Sequence, residues 1–179
     1  MKMEQAVEDK MRKITMLMTD VDGVLTDGRI VFLGEGDEAK MYNVKDGFGF
    51  KLWHRVGHLS AWVTARVSTA ASKRAEELGI TEYREAAPNK RLAVEEIAKK
   101  WSLQKEQIAF VGDDLSDLPA MGCAGLAVTV ADASEEVKAN ADIVLDRRGG
   151  HAAVRQLIEL ILKAQGHWDN LIDKVSSGL

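Results

Sequence analysis

The sequence has 179 residues, of which 46% are hydrophobic and 29% charged, and this balance predicts one globular domain spanning residues 1–179 rather than a disordered or fibrous chain. Its net charge of −4 comes from acidic and basic residues mixed along the chain, which argues against nucleic acid and anionic membranes as partners. A single cysteine, no apolar leader and no membrane-spanning run predict a cytoplasmic protein.

Short apolar runs alternate with amphipathic segments along the chain. The runs predict β-strands at residues 14–19, 58–64, 107–112, 126–131 and 141–146, with a further short strand near the EYRE segment at 82–85. The segments between them predict helices at about 46–56, 68–78, 89–101, 115–122, 134–140 and 151–165. Apolar strands separated by helices are typical of a three-layer, Rossmann-like α/β fold with a parallel sheet.

One segment interrupts this alternation. Residues 28–44 contain two β-prone arms around a Gly-Glu-Gly-Asp turn, which predicts a β-hairpin insertion. Because both faces of the hairpin are apolar, we expect it to pack against another subunit. The tail at 166–179 also carries apolar residues beyond the last predicted helix of the sheet, and it could help to close a neighbouring subunit's site.

Polar residues gather where the predicted strands end. They are Asp20 and Asp22 after the first strand, Thr64 and Arg66 after the second, Lys90 at a helix start after the short third strand, and Asp113, Asp114 and Asp117 after the fourth. In doubly wound sheets, ligands bind outside the carboxyl ends of the strands. We therefore expect these residues to form one site.

The aspartates in this group predict phosphoryl transfer. The carboxylates of Asp20 and Asp113, with the backbone carbonyl of Asp22 as a candidate third ligand, suit Mg²⁺. Asp20 is the predicted nucleophile and would form an aspartyl phosphate, whereas Asp22 would protonate the leaving group and later activate water. The Thr64 hydroxyl and the Lys90 ammonium would bind phosphoryl oxygens.

The segments DVDGVLTDG, VTAR, PNK and GDDLSD, in that order, resemble the four motifs of the haloacid dehalogenase superfamily of phosphohydrolases. Together with KDGFG, VTVADA and a Gly-Gly pair before the last predicted sheet helix, they resemble more narrowly the family of 3-deoxy-D-manno-octulosonate 8-phosphate phosphatases. The resemblance implies a magnesium-dependent hydrolase of lipopolysaccharide precursor biosynthesis and a homotetramer assembled through the hairpin. It also implies a fold without a cap domain, and the short spacing between the motifs independently leaves no room for a cap.

The substrate is expected to be a phosphorylated sugar acid. The predicted substrate-binding residues are Lys45, Gly47, Thr64, Arg66 and Lys90, with Asp114 and Asp117 in supporting roles. Lys45 and Arg66 are expected near the sugar carboxylate, and Asp117 is interpreted either as a surface charge or as an anchor behind the site. Two positions depart from the family pattern: Ala65 replaces the usual glycine of the second motif, and His151 stands where arginine is common.

Three alternatives compete with this interpretation. A phosphatase for a nine-carbon sugar acid 9-phosphate is disfavoured by Arg66, because relatives with that substrate tend to have glutamate at this place. A noncatalytic oligomerisation module associated with a sugar nucleotidyltransferase would not need all four motifs. A dehalogenase would have no use for an acid at Asp22, because halide leaves without a proton.

Overall fold

The structure is a computed structural model that describes residues 5–34 and 37–177. The described strands are β1 (Met16–Thr19), β2 (Val31–Gly34), β3 (Asp37–Ala39), β4 (Leu59–Val63), β5 (Glu82–Arg84), β6 (Ile108–Gly112), β7 (Leu126–Thr129) and β8 (Ile143–Val144). Six of them form a parallel sheet in the order β5-β4-β1-β6-β7-β8. The predicted parallel α/β architecture is confirmed, with β1 at the centre and every strand close to its predicted position.

The described helices are α1 (Gln5–Met11), α2 (Val44–Arg55), α3 (Thr69–Leu78), α4 (Lys90–Lys100), α5 (Leu118–Met121), α6 (Glu135–Ala139), α7 (Ala153–Ala164) and α8 (Trp168–Ser176). Local signals set several boundaries. The side chain of Ser68 accepts a hydrogen bond from the Ala71 N–H at the start of α3, and Gly79 ends that helix with a φ of 67°. The helix predicted at 115–122 is divided into a 3-10 turn, Leu115–Asp117, followed by α5.

All four residues of β1 are buried, which shows that both faces of the sheet are covered at its centre. A strand covered on both sides has no polar face, which explains why the strands read as continuous apolar runs. Between β1 and β4, the described chain adds only the loop after β1, the β2-β3 pair and α2, so the expected absence of a cap domain holds for this stretch. None of the helices within residues 5–34 and 37–177 has both the length and the apolarity needed to cross a bilayer.

The two arms of the predicted hairpin pair in antiparallel fashion outside the main sheet. Val31 lies opposite Ala39, and Phe32 lies opposite Glu38. The tip of the predicted turn, residues 35–36, lies outside the described residues. The side chains of Phe32 and Leu33 are exposed, so the apolar arm predicted from the sequence is present on the surface.

Helix α8 occupies most of the predicted tail and begins at the end of the sheet opposite the strand carboxyl ends. Just before it, the side-chain amide of Gln165 donates hydrogen bonds to the carbonyls of Met11 and Ile14, which precede β1. Leu171 of α8 is buried in the core. Leu171 thus anchors α8 to its own subunit, whereas Ile172 and Val175 are 42% and 37% exposed, and residues 178–179 lie outside the described range. A role of the tail in closing a neighbouring subunit's site stays a prediction.

Candidate active site

Strand β1 delivers Asp20 to the carboxyl edge of the sheet. Its side chain is buried, and one carboxylate oxygen, Oδ1, accepts a hydrogen bond from the Val21 N–H at 2.7 Å. The other oxygen, Oδ2, lies 2.9 Å from Nζ of Lys90. Lys90 is the first residue of α4, and the preceding Asn89 caps that helix by accepting a hydrogen bond from the Leu92 N–H.

Asp117 lies on the other side of the Lys90 ammonium. Lys90 Nζ is 2.6 Å from Oδ1 of Asp117, whose side chain is fully buried. The second oxygen of Asp117 accepts hydrogen bonds from the N–H groups of Asp113 and Asp114, at 3.0 and 3.3 Å. The sequence left two interpretations of Asp117, a surface charge or an anchor behind the site. Its complete burial agrees with the anchor.

Three carboxylates and one ammonium therefore share a small buried volume. Asp20, Asp113 and Asp117 each offer an oxygen within 4.8 Å of the others. Burial, reinforced by the charge of Asp117 and only partly opposed by Lys90, raises the pKa of Asp20 to about 6. Burial and the charges of Asp20 and Asp117 raise the pKa of Asp113 to about 7. The cluster carries more negative charge than Lys90 alone can balance.

The free oxygens of this cluster fit a divalent cation. Oδ1 of Asp113 is buried and has no hydrogen-bond partner within residues 5–34 and 37–177, an arrangement that is costly for a carboxylate unless a cation lies nearby. Both oxygens of Asp117, in contrast, are used by Lys90 and by backbone N–H groups. Asp20 and Asp113 are therefore better candidate ligands than Asp117, and hard carboxylate oxygens suit Mg²⁺.

Asp22 turns its side chain away from this cluster toward the hairpin. Its Oδ1 lies 2.5 Å from Nζ of Lys40, and its Oδ2 lies 3.8 Å from Nε of Arg66. Glu38 joins the same two cations, with contacts of 3.1 Å to Lys40 and 2.7 Å to Arg66. Asp22, Lys40, Glu38 and Arg66, hereafter the hairpin network, form a second charged group beside the first.

Lys40 and Glu38 are site residues that we did not predict. A signal was available, since DEAK places a carboxylate and an ammonium two residues apart at the end of an otherwise apolar hairpin arm. Side chains two residues apart on a strand point to the same face. The pair therefore indicated one charged face on this arm, but not the residues that the face would meet.

Thr64 stands at the end of β4, where its backbone N–H donates to the Arg84 carbonyl and its buried hydroxyl oxygen accepts from the Arg66 N–H at 3.2 Å. Ala65, the departure from the family's glycine, does not have a positive φ; the non-glycine residues that do, in the part of the chain that the structure describes, are Ala86, Ser102 and Ala152. Alanine is therefore accommodated at position 65 without left-handed strain.

The remaining predicted residues lie around the edge of the site. Lys45 is exposed in the first turn of α2, whereas Gly47 is buried where an added Cβ would meet the Arg74 guanidinium at 2.5 Å. Asp114 is exposed, and its side chain caps the following turn by accepting from the Leu115 N–H. His151 is exposed and contacts the Gly149 carbonyl through Nδ1.

Two glycines let the loops of the site approach one another. Gly23 has a φ of 91°, and a Cβ there would lie 2.1 Å from Oδ2 of Asp113. A Cβ on Gly149 would lie 1.8 Å from the Gly23 carbonyl oxygen. Gly23 thus lets the loop after β1 approach Asp113, and Gly149 lets the loop before α7 approach the loop that holds Gly23.

The chain resembles known hydrolases along most of its length. A sequence model of the family described as haloacid dehalogenase-like hydrolase matches residues 80–157. The 3-deoxy-D-manno-octulosonate 8-phosphate phosphatase KdsC of Escherichia coli K12 is 39% identical over 160 residues, which cover 89% of this chain and 85% of that protein. The KdsC protein of Salmonella typhimurium is also 39% identical, over 163 residues that cover 91% and 87%.

Solved structures agree with these relatives. The 3-deoxy-D-manno-octulosonate 8-phosphate phosphatase of Yersinia pestis superposes with a TM-score of 0.90 at 37% identity, covering 92% of this chain and 89% of that one. The corresponding enzyme of Moraxella catarrhalis, solved with a magnesium ion, a phosphate ion and KDO, gives a TM-score of 0.92 at 36% identity and covers 94% and 97%.

Proposed function

The chain belongs to the 3-deoxy-D-manno-octulosonate 8-phosphate phosphatase family of haloacid dehalogenase-like hydrolases, and we propose that it converts 3-deoxy-D-manno-octulosonate 8-phosphate to the free sugar acid and phosphate. It is a phosphoric monoester hydrolase with the capless fold of that family. The observation that carries the proposal is the buried Asp20–Lys90 pair facing Asp113 at the carboxyl edge of the sheet.

In the proposed reaction, a carboxylate oxygen of Asp20 forms a bond to phosphorus while the bond between phosphorus and the sugar oxygen breaks. Asp22 gives its proton to the departing sugar oxygen. A water molecule then loses a proton to Asp22 and attacks the aspartyl phosphate, which releases phosphate and restores both carboxyl groups. Lys90 and the Thr64 hydroxyl are proposed to bind phosphoryl oxygens.

Magnesium is the proposed cofactor. The carboxylates of Asp20 and Asp113, with the backbone carbonyl of Asp22, would hold it, and the partnerless Oδ1 of Asp113 supports this assignment. When bound, the ion would offset the charge that the carboxylates and the phosphate share. Asp117 would support the site from behind by fixing Lys90 and the backbone of Asp113.

The sugar acid carboxylate is proposed to bind near Arg66 and Lys45. The Arg66 side chain is 41% exposed, so part of its guanidinium is available to a ligand. Bidentate contact between a guanidinium and a carboxylate is strong and directional. Lys45 lies exposed in the first turn of α2. A Cβ on Gly47 would lie 2.5 Å from the Arg74 guanidinium and 3.1 Å from Leu78, both on α3, so Gly47 packs against that helix and any contribution to binding would come through its main chain.

A substrate panel tests the proposal. The purified protein would be assayed with the eight-carbon sugar acid 8-phosphate, a nine-carbon sugar acid 9-phosphate, glycerol phosphate and p-nitrophenyl phosphate, each with Mg²⁺ and with EDTA. The highest kcat/KM is expected for the eight-carbon substrate, and EDTA should abolish every activity. A higher kcat/KM for the nine-carbon substrate would overturn the proposed substrate. No turnover of any of the four compounds, with or without Mg²⁺, would favour the noncatalytic module.

A homotetramer formed through the hairpin is also proposed. Phe32, Leu33 and Met41 are 74%, 66% and 78% exposed, which is a large apolar surface for an isolated subunit. Phe32→Asp should break the assembly, and light scattering after size-exclusion chromatography would measure it. If a neighbour helps to shape the sugar pocket, the variant should lose more kcat/KM for the sugar acid phosphate than for p-nitrophenyl phosphate. A wild-type monomer of full activity would contradict the proposal.

A further inference from the structure

Lys40 is held in an unusual place for a lysine of a hairpin. Its side chain is only 2% exposed, and its ammonium lies between Oδ1 of Asp22 at 2.5 Å and Oε1 of Glu38 at 3.1 Å. A buried ammonium is costly unless it is paired, so these two contacts fix the position of the Lys40 side chain. The same contact fixes one oxygen of Asp22, because charge-assisted hydrogen bonds are short and strong.

Arg66 does not hold Asp22 to the same degree. Its Nε lies 3.8 Å from Asp22, beyond hydrogen-bond distance, and its 2.7 Å contact is with Glu38. Glu38 therefore has two effects: it balances the second charge on the network, and it draws the guanidinium away from Asp22. Among the described residues, Lys40 is the one that makes a hydrogen bond to the Asp22 carboxylate.

Geometry matters at Asp22, because a proton donor must reach the leaving oxygen while the Asp20 oxygen reaches phosphorus. Misplacement of a catalytic group by about 1 Å can cost on the order of a hundredfold in rate. Asp22 lies in the loop after β1, outside the strands and helices. The hydrogen bond from Lys40 of the hairpin fixes the direction of its carboxylate.

We propose that Lys40, supported by Glu38, is a positioning residue that orients the Asp22 carboxyl group for proton transfer to the leaving oxygen. The proposal rests on the proposed function, in which Asp22 is the acid. Lys40 keeps its own protons throughout: the proton moves from Asp22 to the departing oxygen as the bond between that oxygen and phosphorus breaks. The hairpin thus takes part in the chemistry of its own subunit, separately from any role in assembly.

The leaving group provides the test. An alkyl oxygen needs a proton to depart, whereas p-nitrophenolate departs as a stable anion and gains little from an acid. Lys40→Met should therefore lower kcat/KM about tenfold or more for the sugar acid phosphate and for glycerol phosphate, and at most about twofold for p-nitrophenyl phosphate. kcat/KM is the appropriate quantity, because it reports steps up to the first irreversible one and leaves out hydrolysis of the phosphoenzyme.

Three variants complete the design. Lys40→Arg, which keeps a cation, should recover much of the lost rate, and Lys51→Met, which removes an exposed lysine of α2, is the matched control. Asp22→Asn should show the same dependence on the leaving group. If Lys40 acts through Asp22, the double variant Lys40→Met with Asp22→Asn should be no slower than Asp22→Asn alone.

Several outcomes would overturn the proposal. Equal losses for all three substrates would indicate a structural or phosphate-binding role, and circular dichroism would detect a folding defect directly. A loss confined to the sugar acid, expressed in KM, would make Lys40 a ligand of the substrate carboxylate. Additive effects in the double variant would separate Lys40 from Asp22. If wild type prefers another alkyl phosphate, the proposed substrate fails, but the comparison of leaving groups still decides the role of Lys40.

Discussion

The cluster around Lys90 and the hairpin network around Lys40 lie side by side, yet they are assembled from different kinds of structure. Asp20, Lys90 and Asp117 come from the end of β1, the start of α4 and the turn after β6, all of them fixed by the sheet and its crossover helices. Lys40 and Glu38 come from an arm outside the main sheet. The first group depends on the core alone, whereas the second depends on how the hairpin docks.

The two groups also differ in charge balance. The Lys90 cluster has three carboxylates for one ammonium, and the pKa values of Asp20 and Asp113 are raised. The hairpin network has two carboxylates and two cations. There, burial raises the pKa of Glu38, but hydrogen bonds from Ser68, Arg66 and Lys40 outweigh burial and lower the pKa to about 2. A divalent cation would therefore complete the first group, while the second is already balanced.

The largest effect is expected at the centre of the unbalanced group. Asp20→Asn should lower kcat by at least about a thousandfold, because it removes the proposed nucleophile. The melting temperature of the metal-free protein should stay the same or rise, since one of three mutually repelling carboxylates becomes neutral. Phosphate release and differential scanning calorimetry would measure the two effects. Asp27→Asn, in the exposed part of the same loop, is the control, and near-normal turnover by Asp20→Asn would end the proposed mechanism.

Removing the cation of the same group should affect both stability and activity. Lys90→Met would leave Asp20 and Asp117 buried without their shared partner, which costs about 3–5 kcal/mol when a buried ion pair is broken. Urea denaturation would measure the loss of unfolding free energy, and activity should fall about a hundredfold or more. Lys99→Met, on the exposed side of the same helix, is the matched control. Equal stability of the two variants would show that Lys90 does not hold the cluster together.

The contrast between the groups explains what could be read from the sequence. Asp20 follows an apolar strand and Lys90 follows a helix cap, so local patterns and the known edge of parallel sheets placed them together. The contact between Lys40 and Asp22 joins residues 18 positions apart and forms only when the hairpin docks beside the site. The pattern of apolar and polar residues in the sequence does not predict where the hairpin docks. The raised pKa values were likewise not predictable, because they depend on burial by residues from several elements.

One miss had a local signal. Trp168, Leu171, Ile172 and Val175 follow the i, i+3, i+4, i+7 spacing of an amphipathic helix, but we interpret them from the sequence only as an apolar tail. The structure places them on α8, where Leu171 enters the core and the ring of Trp168 lies against Arg155. The position of α8 at the far end of the sheet could not be inferred from the spacing.

A smaller effect is expected where the loop after β1 meets Asp113. Gly23→Ala places a Cβ 2.1 Å from Oδ2 of Asp113, whereas Gly28→Ala, also at positive φ, finds its nearest neighbour at 3.6 Å. Both variants should lose about 1–2 kcal/mol from the left-handed backbone. Gly23→Ala alone should also lose about tenfold or more in kcat/KM and part of the thermal stabilisation by Mg²⁺. Indistinguishable variants would show that the close approach to Asp113 is unimportant.

The smallest effect is expected in the balanced group, and it depends on pH. The folded-state pKa of Glu38, about 2, lies below its ordinary value of 4.5, so its contribution to stability is present above pH 4.5 and is lost as the pH falls toward 2. Glu38→Gln removes that dependence. The unfolding free energy of wild type relative to Glu38→Gln should therefore fall by about 2 kcal/mol between pH 6 and pH 3, as measured by urea denaturation in EDTA.

Glu96→Gln, which removes an exposed carboxylate from α4, controls for the loss of one negative charge from the whole protein. A difference between wild type and Glu38→Gln that stays constant over the same pH range would mean that Lys40 and Arg66 do not stabilise the ionised form of Glu38. The docking of the hairpin would then depend on apolar contacts rather than on its charged face. In that case Glu38 would not support Lys40 in orienting Asp22. The pH dependence therefore also tests the ion pairs on which the proposed role of Lys40 rests.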